Sequence, residues 1–193
     1  FRNSVTGREF DVTVNKIDSL SELPNEETTM SVHPWELIKN KKEDVVLEGD
    51  VIIEEDLIIN KNDVLTILPG TTIMLNDNVS IISFGKVIMK GTEQKPITIM
   101  PKMSTWGSIA LQGEYAEGIF EHCDISGGSG EHYQLVHYTG MVSAYNSKIT
   151  MNNCFLHDNK KEDDMLNVKN GHLQISKTRF ENSFADSLDV DIS

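Results

Sequence analysis

The sequence predicts an all-β fold: a right-handed, single-stranded parallel β-helix (a solenoid) with a small N-terminal helical cap. Three observations lead to this prediction. Short runs of β-branched and other apolar residues follow one another from Val45 onward, and apolar positions recur about every 22 to 24 residues. Gly and Asn, which accept left-handed backbone conformations, stand between the runs. This pattern is typical of a stack in which each turn of the chain pairs with the turns before and after it.

The first 44 residues differ in composition from the rest of the chain. They are polar and hold few β-branched residues, but one stretch predicts a short helix. Ser31 is suited to cap this helix, Pro34 to its first turn and Trp35 to its apolar side. We therefore expect an N-terminal segment with a helical cap over residues 1–44 and a parallel β-helix over residues 45–193.

The predicted strands are short and closely spaced. They correspond to the runs VVLEG, DVIIEEDLII, VLTIL, TTIML, VSIIS, KVIMK, PITIM and GSIAL. Shifting residues 141–159 onto residues 165–183 aligns apolar with apolar positions, and residues 164–168 likewise align with residues 186–190. We expect the aligned apolar side chains to stack as inward-facing ladders, so that one buried Leu→Ala substitution costs about 2 to 5 kcal/mol.

The two ends of the chain suggest a longer parent protein. The sequence opens FRNSVTGREF, with neither Met nor a signal-peptide pattern. The last run ends at Ser193 with no capping element, and an uncapped last turn leaves a row of strand groups unpaired. We therefore expect the β-helix to be truncated at its C-terminus, and we expect neighbouring domains of the parent chain to be partners.

The charge balance argues against several kinds of partner. The chain has 17 Lys and Arg against 30 Asp and Glu, which gives a formal net charge of −13 at pH 7. Nucleic acid is disfavoured because phosphate binding needs clustered cations, and an anionic membrane surface is disfavoured for the same reason. No apolar run approaches the roughly 18 residues that a membrane helix needs, so we expect no membrane insertion by this chain.

Several phrases in residues 45–193 resemble the right-handed parallel β-helix superfamily, the pectate-lyase-like fold: LTILPGTTIML, GKVIMKGTEQKPITI, TWGSIALQG and FEHCDISGG. The resemblance implies this fold, whose members include lyases, hydrolases, epimerases, adhesins and inert spacers. A further segment, DDMLNVKNGHLQISKTRFENSFADSLDVD, resembles β-helix modules of large bacterial envelope proteins. This resemblance implies a secreted or cell-envelope protein of bacteria.

Acidic residues form the first candidate site, a metal site. Asp164 is followed one turn later by Asp186 and Asp189, and in a stack these carboxylates would lie about 5 Å apart along the axis. Such crowding raises a carboxyl pKa or supplies ligands for Ca²⁺, and the resemblance implies a catalytic role for such clusters. The Arg-x-Lys and His-Gly groups of the family's enzymes are missing, however, which favours the alternative of a solvated acidic edge.

A break in the repeat forms the second candidate site. The stretch GGSGEHYQLVHYTG, residues 127–140, carries His132, Tyr133, His137 and Tyr138. Excursions from a solenoid often carry function, and tyrosine rings stack on sugars, so these four residues are a candidate ligand-binding set. The alternative, which we favour, is that the aromatic side chains pack onto the turn beneath. The five-residue spacing of the two histidines matches no standard metal motif.

The remaining polar and aromatic residues predict packing and not chemistry. Cys123 and Cys154 align in the repeat and lack metal-binding spacing, so we expect buried, unreactive thiols. Trp106 begins a strand and is expected to pack in the core or at the edge of a turn. We expect His122 and His157 to lie in the strand region and His172 beside a corner, none of them with Ser, Cys or Asp at a recognisable catalytic spacing.

These observations favour a non-catalytic β-helix module of an exported or envelope-associated bacterial protein. We expect it to act as a rigid scaffold or as a surface that binds polysaccharide or another envelope protein, without a cofactor. The alternative is a polysaccharide lyase, hydrolase or epimerase that uses Ca²⁺ at the acidic face. An extracellular or cell-envelope location follows from the resemblance and from a negative charge suited to solubility outside the cell.

Overall fold

The computed structural model describes residues 42–191, which form an all-β parallel solenoid of about six turns. No helix lies within residues 42–191, and the predicted helical cap falls outside the described residues. We call each turn of the solenoid a rung.

Each rung contributes three strands to the stack. The first three rungs contain β1 (Val45–Leu47), β2 (Asp50–Ile53), β3 (Leu57–Ile59), β4 (Val64–Ile67), β5 (Thr72–Leu75), β6 (Ile81–Ser83), β7 (Lys86–Lys90), β8 (Ile97–Pro101) and β9 (Ile109–Gln112). The fourth rung contains β10 (Glu117–Glu121), β11 (Cys123–Ser126), a hairpin of β12 (Glu131–Tyr133) and β13 (Val136–Tyr138), and β14 (Gly140–Tyr145). The last two rungs contain β15 (Lys148–Asn152), β16 (Phe155–His157), β17 (Asp164–Lys169), β18 (His172–Ser176), β19 (Arg179–Glu181) and β20 (Asp186–Asp191).

The strands of successive rungs stack into three parallel sheets of six strands. The first sheet holds β1, β4, β7, β10, β15 and β18, the second holds β2, β5, β8, β11, β16 and β19, and the third holds β3, β6, β9, β14, β17 and β20. The observed register confirms the predicted repeat. Val142 pairs with Leu166, and Asp164 pairs with Asp186.

The core lies between the three sheets and consists of stacked apolar side chains. Val87 and Ile149 of the first sheet, for example, are almost completely buried, and Phe120 between these rungs is equally covered. Gly118 makes room for this packing, because a Cβ atom there would lie 2.7 Å from Leu111 Cδ1. At about 25 cal/mol per Å² of apolar surface, these ladders are the main stabilising contribution.

Most corners between the first and second sheets use one left-handed residue. His122, Asn153 and Lys177 occupy this position in the last three rungs with φ values of 48°, 53° and 47°. The His122 amide donates to the Asn152 carbonyl of the next rung at 3.0 Å, so the corners stack as the strands do. His122 lies in the strand region, as expected, at the corner between β10 and β11. In this rung the corner adopts a positive φ although the residue is neither Gly nor Asn.

Trp106 is fully buried, as the sequence predicted. Its indole N–H donates to the Ser126 carbonyl at 2.7 Å, which satisfies the polar atom of the ring. The sixth rung is less covered than the others. Leu173, Ile175 and Phe180 of this rung are only partly buried, because no described rung follows them.

Candidate functional site

The break in the repeat at residues 127–140 forms a short antiparallel hairpin. Its strands β12 and β13 pair Glu131 with Tyr138, His132 with His137 and Tyr133 with Val136. Its two-residue turn contains neither Gly nor Asn, and Gln134 in this turn adopts a φ of 54°.

The hairpin packs one side onto the outer face of the third sheet. Tyr138 is fully buried there, together with Ile82 and Ala110 from the sheet, and Tyr133 and Val136 pack against the same cluster. The Tyr138 hydroxyl donates to Gln112 Oε1 at 3.2 Å, and burial raises the pKa of Tyr138 to about 12. Of the four candidate ligand-binding residues, Tyr133 and Tyr138 are therefore occupied in packing.

A buried polar contact fixes the beginning of the hairpin. Ser80 Oγ donates to Glu131 Oε2 at 2.7 Å and accepts the Ser108 amide N–H at 2.9 Å. Ser80 and Ser108 are both fully buried. This chain of hydrogen bonds joins the hairpin to two rungs of the third sheet.

The other side of the hairpin faces solvent. The imidazole rings of His132 and His137 stack there with centroids 3.8 Å apart and an interplanar angle of 9°. Glu162 Oε2 lies 3.4 Å from His137 Nε2. Leu135, at the tip of the hairpin, is fully exposed. The structure therefore brings together the two histidines that the sequence selected, directly opposite each other.

The acidic residues meet the hairpin at Thr139. Asp164 is buried, and its Oδ2 atom accepts hydrogen bonds from Thr139 Oγ1 at 3.1 Å and from Asn167 Nδ2 at 2.8 Å. The same Asn167 amide donates to Asp189 Oδ2 at 2.9 Å. One amide group thus bridges the carboxylates of two successive rungs. We call Thr139, Asp164, Asn167 and Asp189 the acidic group.

The electrostatics of the acidic group favour protonation of Asp164. Burial raises its pKa, and the charges of Asp189 and Asp163 raise it further, against the hydrogen bonds from Asn167 and Thr139. Asn167 Oδ1 is buried and lacks a hydrogen-bond partner. The group therefore contains an acceptor that is free to receive a donor or a cation.

The three predicted metal ligands are brought together only in part. Asp186 pairs with Asp164 in the register of the third sheet, but Asp186 is exposed. Asp164 and Asp189, in contrast, both accept a hydrogen bond from the Asn167 amide. Within residues 42–191 no group of three or more His, Cys, Asp or Glu side chains is arranged to hold a metal ion. The assignment of Asp164, Asp186 and Asp189 to Ca²⁺ remains a prediction.

A second titratable cluster lies on the outer face of the second sheet. His157 Nε2 is 2.9 Å from Asp124 Oδ1, and His157 Nδ1 is 2.6 Å from Asp158 Oδ2. Burial lowers the pKa of His157, but its hydrogen bonds to Asp158 and Asp124 outweigh this and raise it overall. His157 lies in a strand, as predicted, and the imidazole connects the fourth rung to the fifth. Both ring nitrogens of His157 are engaged by carboxylates, so the cluster links the two rungs through side-chain contacts.

The cysteine pair, Cys123 and Cys154, occupies equivalent inward positions in neighbouring rungs and is buried, as the sequence predicted. Hydrogen bonding between the two thiols raises the pKa of Cys123, which burial raises further, and lowers the pKa of Cys154 against the opposing effect of burial. Both thiols are buried, so neither is presented to a substrate or to a reagent in solution.

Sequence reasoning missed two members of the acidic group, Thr139 and Asn167. A signal for Asn167 was available: the spacing Asp164-x-x-Asn167 recurs one rung later as Asp186-x-x-Asp189. A polar residue at the same outward position in two rungs indicates contact along the stack. No sequence signal placed Thr139, because its position depends on how the hairpin returns to the sheet.

No helix within residues 42–191 has the length and apolar character needed to cross a membrane. Comparisons of the chain with protein-family models, with curated proteins and with solved structures found no match.

Proposed function

We propose that this chain is a rigid, non-catalytic β-solenoid module of an exported or cell-envelope-associated bacterial protein. In this proposal the hairpin presents a surface that binds a polysaccharide or another envelope protein. One observation carries the proposal. Within residues 42–191 the hairpin is the antiparallel excursion from the stack, and its buried side fixes it to the third sheet while its other side and its tip face solvent.

The stack supports the scaffold role. Each rung is covered by its neighbours through in-register ladders, and one continuous core extends through the described rungs. Stability of this kind grows with every neighbouring pair, so a solenoid can hold a binding element at a fixed place along its axis.

The tip of the hairpin supports the binding role. Leu135 is 101% exposed, so its side chain contributes no burial to this fold. Burial of the same side chain against a partner would contribute about 1.5 to 3 kcal/mol. The fixed base of the hairpin lowers the entropy cost of such contact, because the tip needs little further ordering.

The scarcity of arginine supports a non-catalytic role. Arg179 is the only arginine in residues 42–191. It forms an ion pair with Glu181 at 3.2 Å and stacks over the Phe155 ring at 3.9 Å. A site that cleaves an acidic polymer needs positive charge near the developing negative charge of the transition state.

Binding is tested with a glycan array and with a pull-down from bacterial envelope extract, using the purified chain. Leu135→Ala is the test variant, and Val46→Ala, which shortens another exposed apolar side chain, is the matched control. We expect Leu135→Ala to weaken binding of the retained sugar or protein by about fivefold or more, while Val46→Ala leaves binding unchanged. If no sugar or protein is retained, the binding role is wrong and only the scaffold role remains.

A second candidate function is favoured by the acidic group. The raised pKa of Asp164 and the unpartnered Asn167 Oδ1 are features that enzyme sites often show. The candidate is a lyase, hydrolase or epimerase that acts on an acidic polysaccharide with Ca²⁺. It requires turnover of such a polymer with added Ca²⁺, and loss of that turnover in Asp186→Ala and Asp189→Ala. Turnover that survives both substitutions would exclude this candidate.

A further inference from the structure

We propose that the outer side of the hairpin binds a divalent transition metal ion through the imidazoles of His132 and His137, with Glu162 orienting the His137 ring. The ion belongs to the class that imidazole ligands prefer, such as Zn²⁺ or Cu²⁺. This inference goes beyond the proposed function and does not depend on it.

The pairing of the hairpin explains how a five-residue spacing forms a chelating pair. His132 and His137 face each other across the two strands, with Tyr133 and Val136 forming the next pair toward the two-residue turn. Cβ atoms of such directly opposed residues lie about 4.5 to 5.5 Å apart. The two rings therefore extend side by side from the same face of the hairpin.

The two imidazoles lie on the same face of the hairpin, with ring centroids 3.8 Å apart and planes nearly parallel. In this stacked arrangement the nitrogen lone pairs run parallel, so binding one ion requires the rings to rotate apart. Zn–N bonds of about 2.0 to 2.1 Å in a tetrahedral site then place the two ligand nitrogens about 3.3 Å apart. Both residues are exposed, so their side-chain torsions can change in this way without disturbing the core.

Glu162 occupies the place of a carboxylate that orients a metal-binding histidine. Its Oε2 atom lies 3.4 Å from His137 Nε2, and a hydrogen bond from that nitrogen to the carboxylate in the metal-bound form would leave His137 Nδ1 as the metal ligand. Histidine ligands commonly donate their second N–H to such a carboxylate, which fixes the tautomer and raises the basicity of the ligand nitrogen.

Close packing and a backbone hydrogen bond position Glu162 beside the hairpin. A Cβ atom at Gly130 would lie 2.6 Å from Glu162 Cγ, so the glycine leaves space for the glutamate stem. The Lys160 amide donates to the Gly128 carbonyl at 2.7 Å, which joins the Glu162 loop to the start of the hairpin. The position of the carboxylate beside His137 is therefore set by contacts that do not involve the histidine.

The site is a two-imidazole chelate and not a closed cage. The described part of the chain has no ready-made group of three ligating side chains, so water fills the other coordination positions. We therefore expect reversible binding, and we expect the bound ion to retain open positions.

Isothermal titration of the tag-free chain with Zn²⁺ tests the site, and Cu²⁺ electron paramagnetic resonance counts the nitrogen ligands. We expect one saturable Zn²⁺ site, and His132→Asn or His137→Asn should weaken it by about tenfold or more, since even outer partners of metal ligands contribute 10- to 100-fold. Glu162→Gln should weaken Zn²⁺ binding by up to about tenfold and keep the two-nitrogen Cu²⁺ signal. His172→Asn removes an exposed imidazole from β18 and is the matched control, which should bind as the unmodified chain does.

Two results would overturn the proposal. One is the absence of saturable binding of either ion to the unmodified chain. The other is equal binding by the unmodified chain and both hairpin histidine variants. Because both side chains are exposed, unfolding is not expected to obscure the result, and unchanged melting temperatures of the variants would verify this.

Discussion

The stacking of rungs predicts that the same substitution has different costs in the middle and at the end of the solenoid. Leu156 in β16 is completely buried, and its strand lies between the fourth and sixth rungs, where Leu156 pairs with Ile125 and Phe180. Leu173 in β18 pairs with Ile149 of the fifth rung and is only partly buried. Leu156→Ala and Leu173→Ala are therefore a matched pair of changes.

The magnitudes follow from burial. Leu→Ala removes three carbon atoms, and at about 0.8 kcal/mol each the transfer cost at Leu156 is about 2.4 kcal/mol. The enclosed cavity raises the total to about 3 to 5 kcal/mol. Leu173 is only partly buried, so Leu173→Ala loses only part of the transfer free energy and leaves a recess open to solvent instead of an enclosed cavity. This substitution therefore costs about 1 kcal/mol.

Urea unfolding followed by far-UV circular dichroism measures the two free energies of unfolding. Hydrogen exchange, resolved by rung, shows whether the loss is local or global, which matters because repeat proteins depart from two-state unfolding. We expect Leu156→Ala to lower protection in its own and neighbouring rungs and Leu173→Ala to affect mainly the last rung. Equal costs for the two substitutions, or a larger cost at Leu173, would refute the reasoning.

Four further outcomes are expected. Gly118→Val places methyl groups against Leu111, so it should destabilise the fold by about 1 to 3 kcal/mol, measured as a lower melting temperature. The raised pKa of His157 gives stability that is present below its unfolded pKa of about 6.5 and is lost as pH rises through the folded pKa. His157→Gln should flatten this pH dependence of the free energy of unfolding. An unchanged slope in the variant would contradict the assignment. The pKa of Asp164 is also raised, so charging this buried carboxyl opposes folding as pH rises through the folded pKa. Asp164→Asn should therefore be neutral or stabilising at pH 7, whereas Asp164→Ala removes an acceptor and should cost about 1 to 3 kcal/mol in thermal unfolding. The cysteine pair should resist a thiol reagent such as DTNB in the folded chain and react fully in urea, and rapid reaction of the folded chain would show that the thiols are accessible.

The candidate sites could be predicted from the sequence only as groups of residues. The break at 127–140 and the acidic residues were visible because they depart from the repeat, but their contacts were not. Thr139 reaches Asp164 across 25 residues, and His157 reaches Asp124 across 33. Such partners have no fixed sequence offset, because each depends on where a loop leaves the stack and where it returns.

The parallel solenoid from the forties onward and its repeat register could be predicted from the sequence alone. A rung cannot cover its own apolar side, so the same pattern must recur at each turn, and the recurrence is readable as a period. The three-dimensional fold was needed to show that the two hairpin histidines stack, that Tyr138 packs onto the third sheet and that one Asn167 amide bridges two carboxylates. These features depend on side-chain torsions and on the path of one excursion, which occur once in the chain and leave no period.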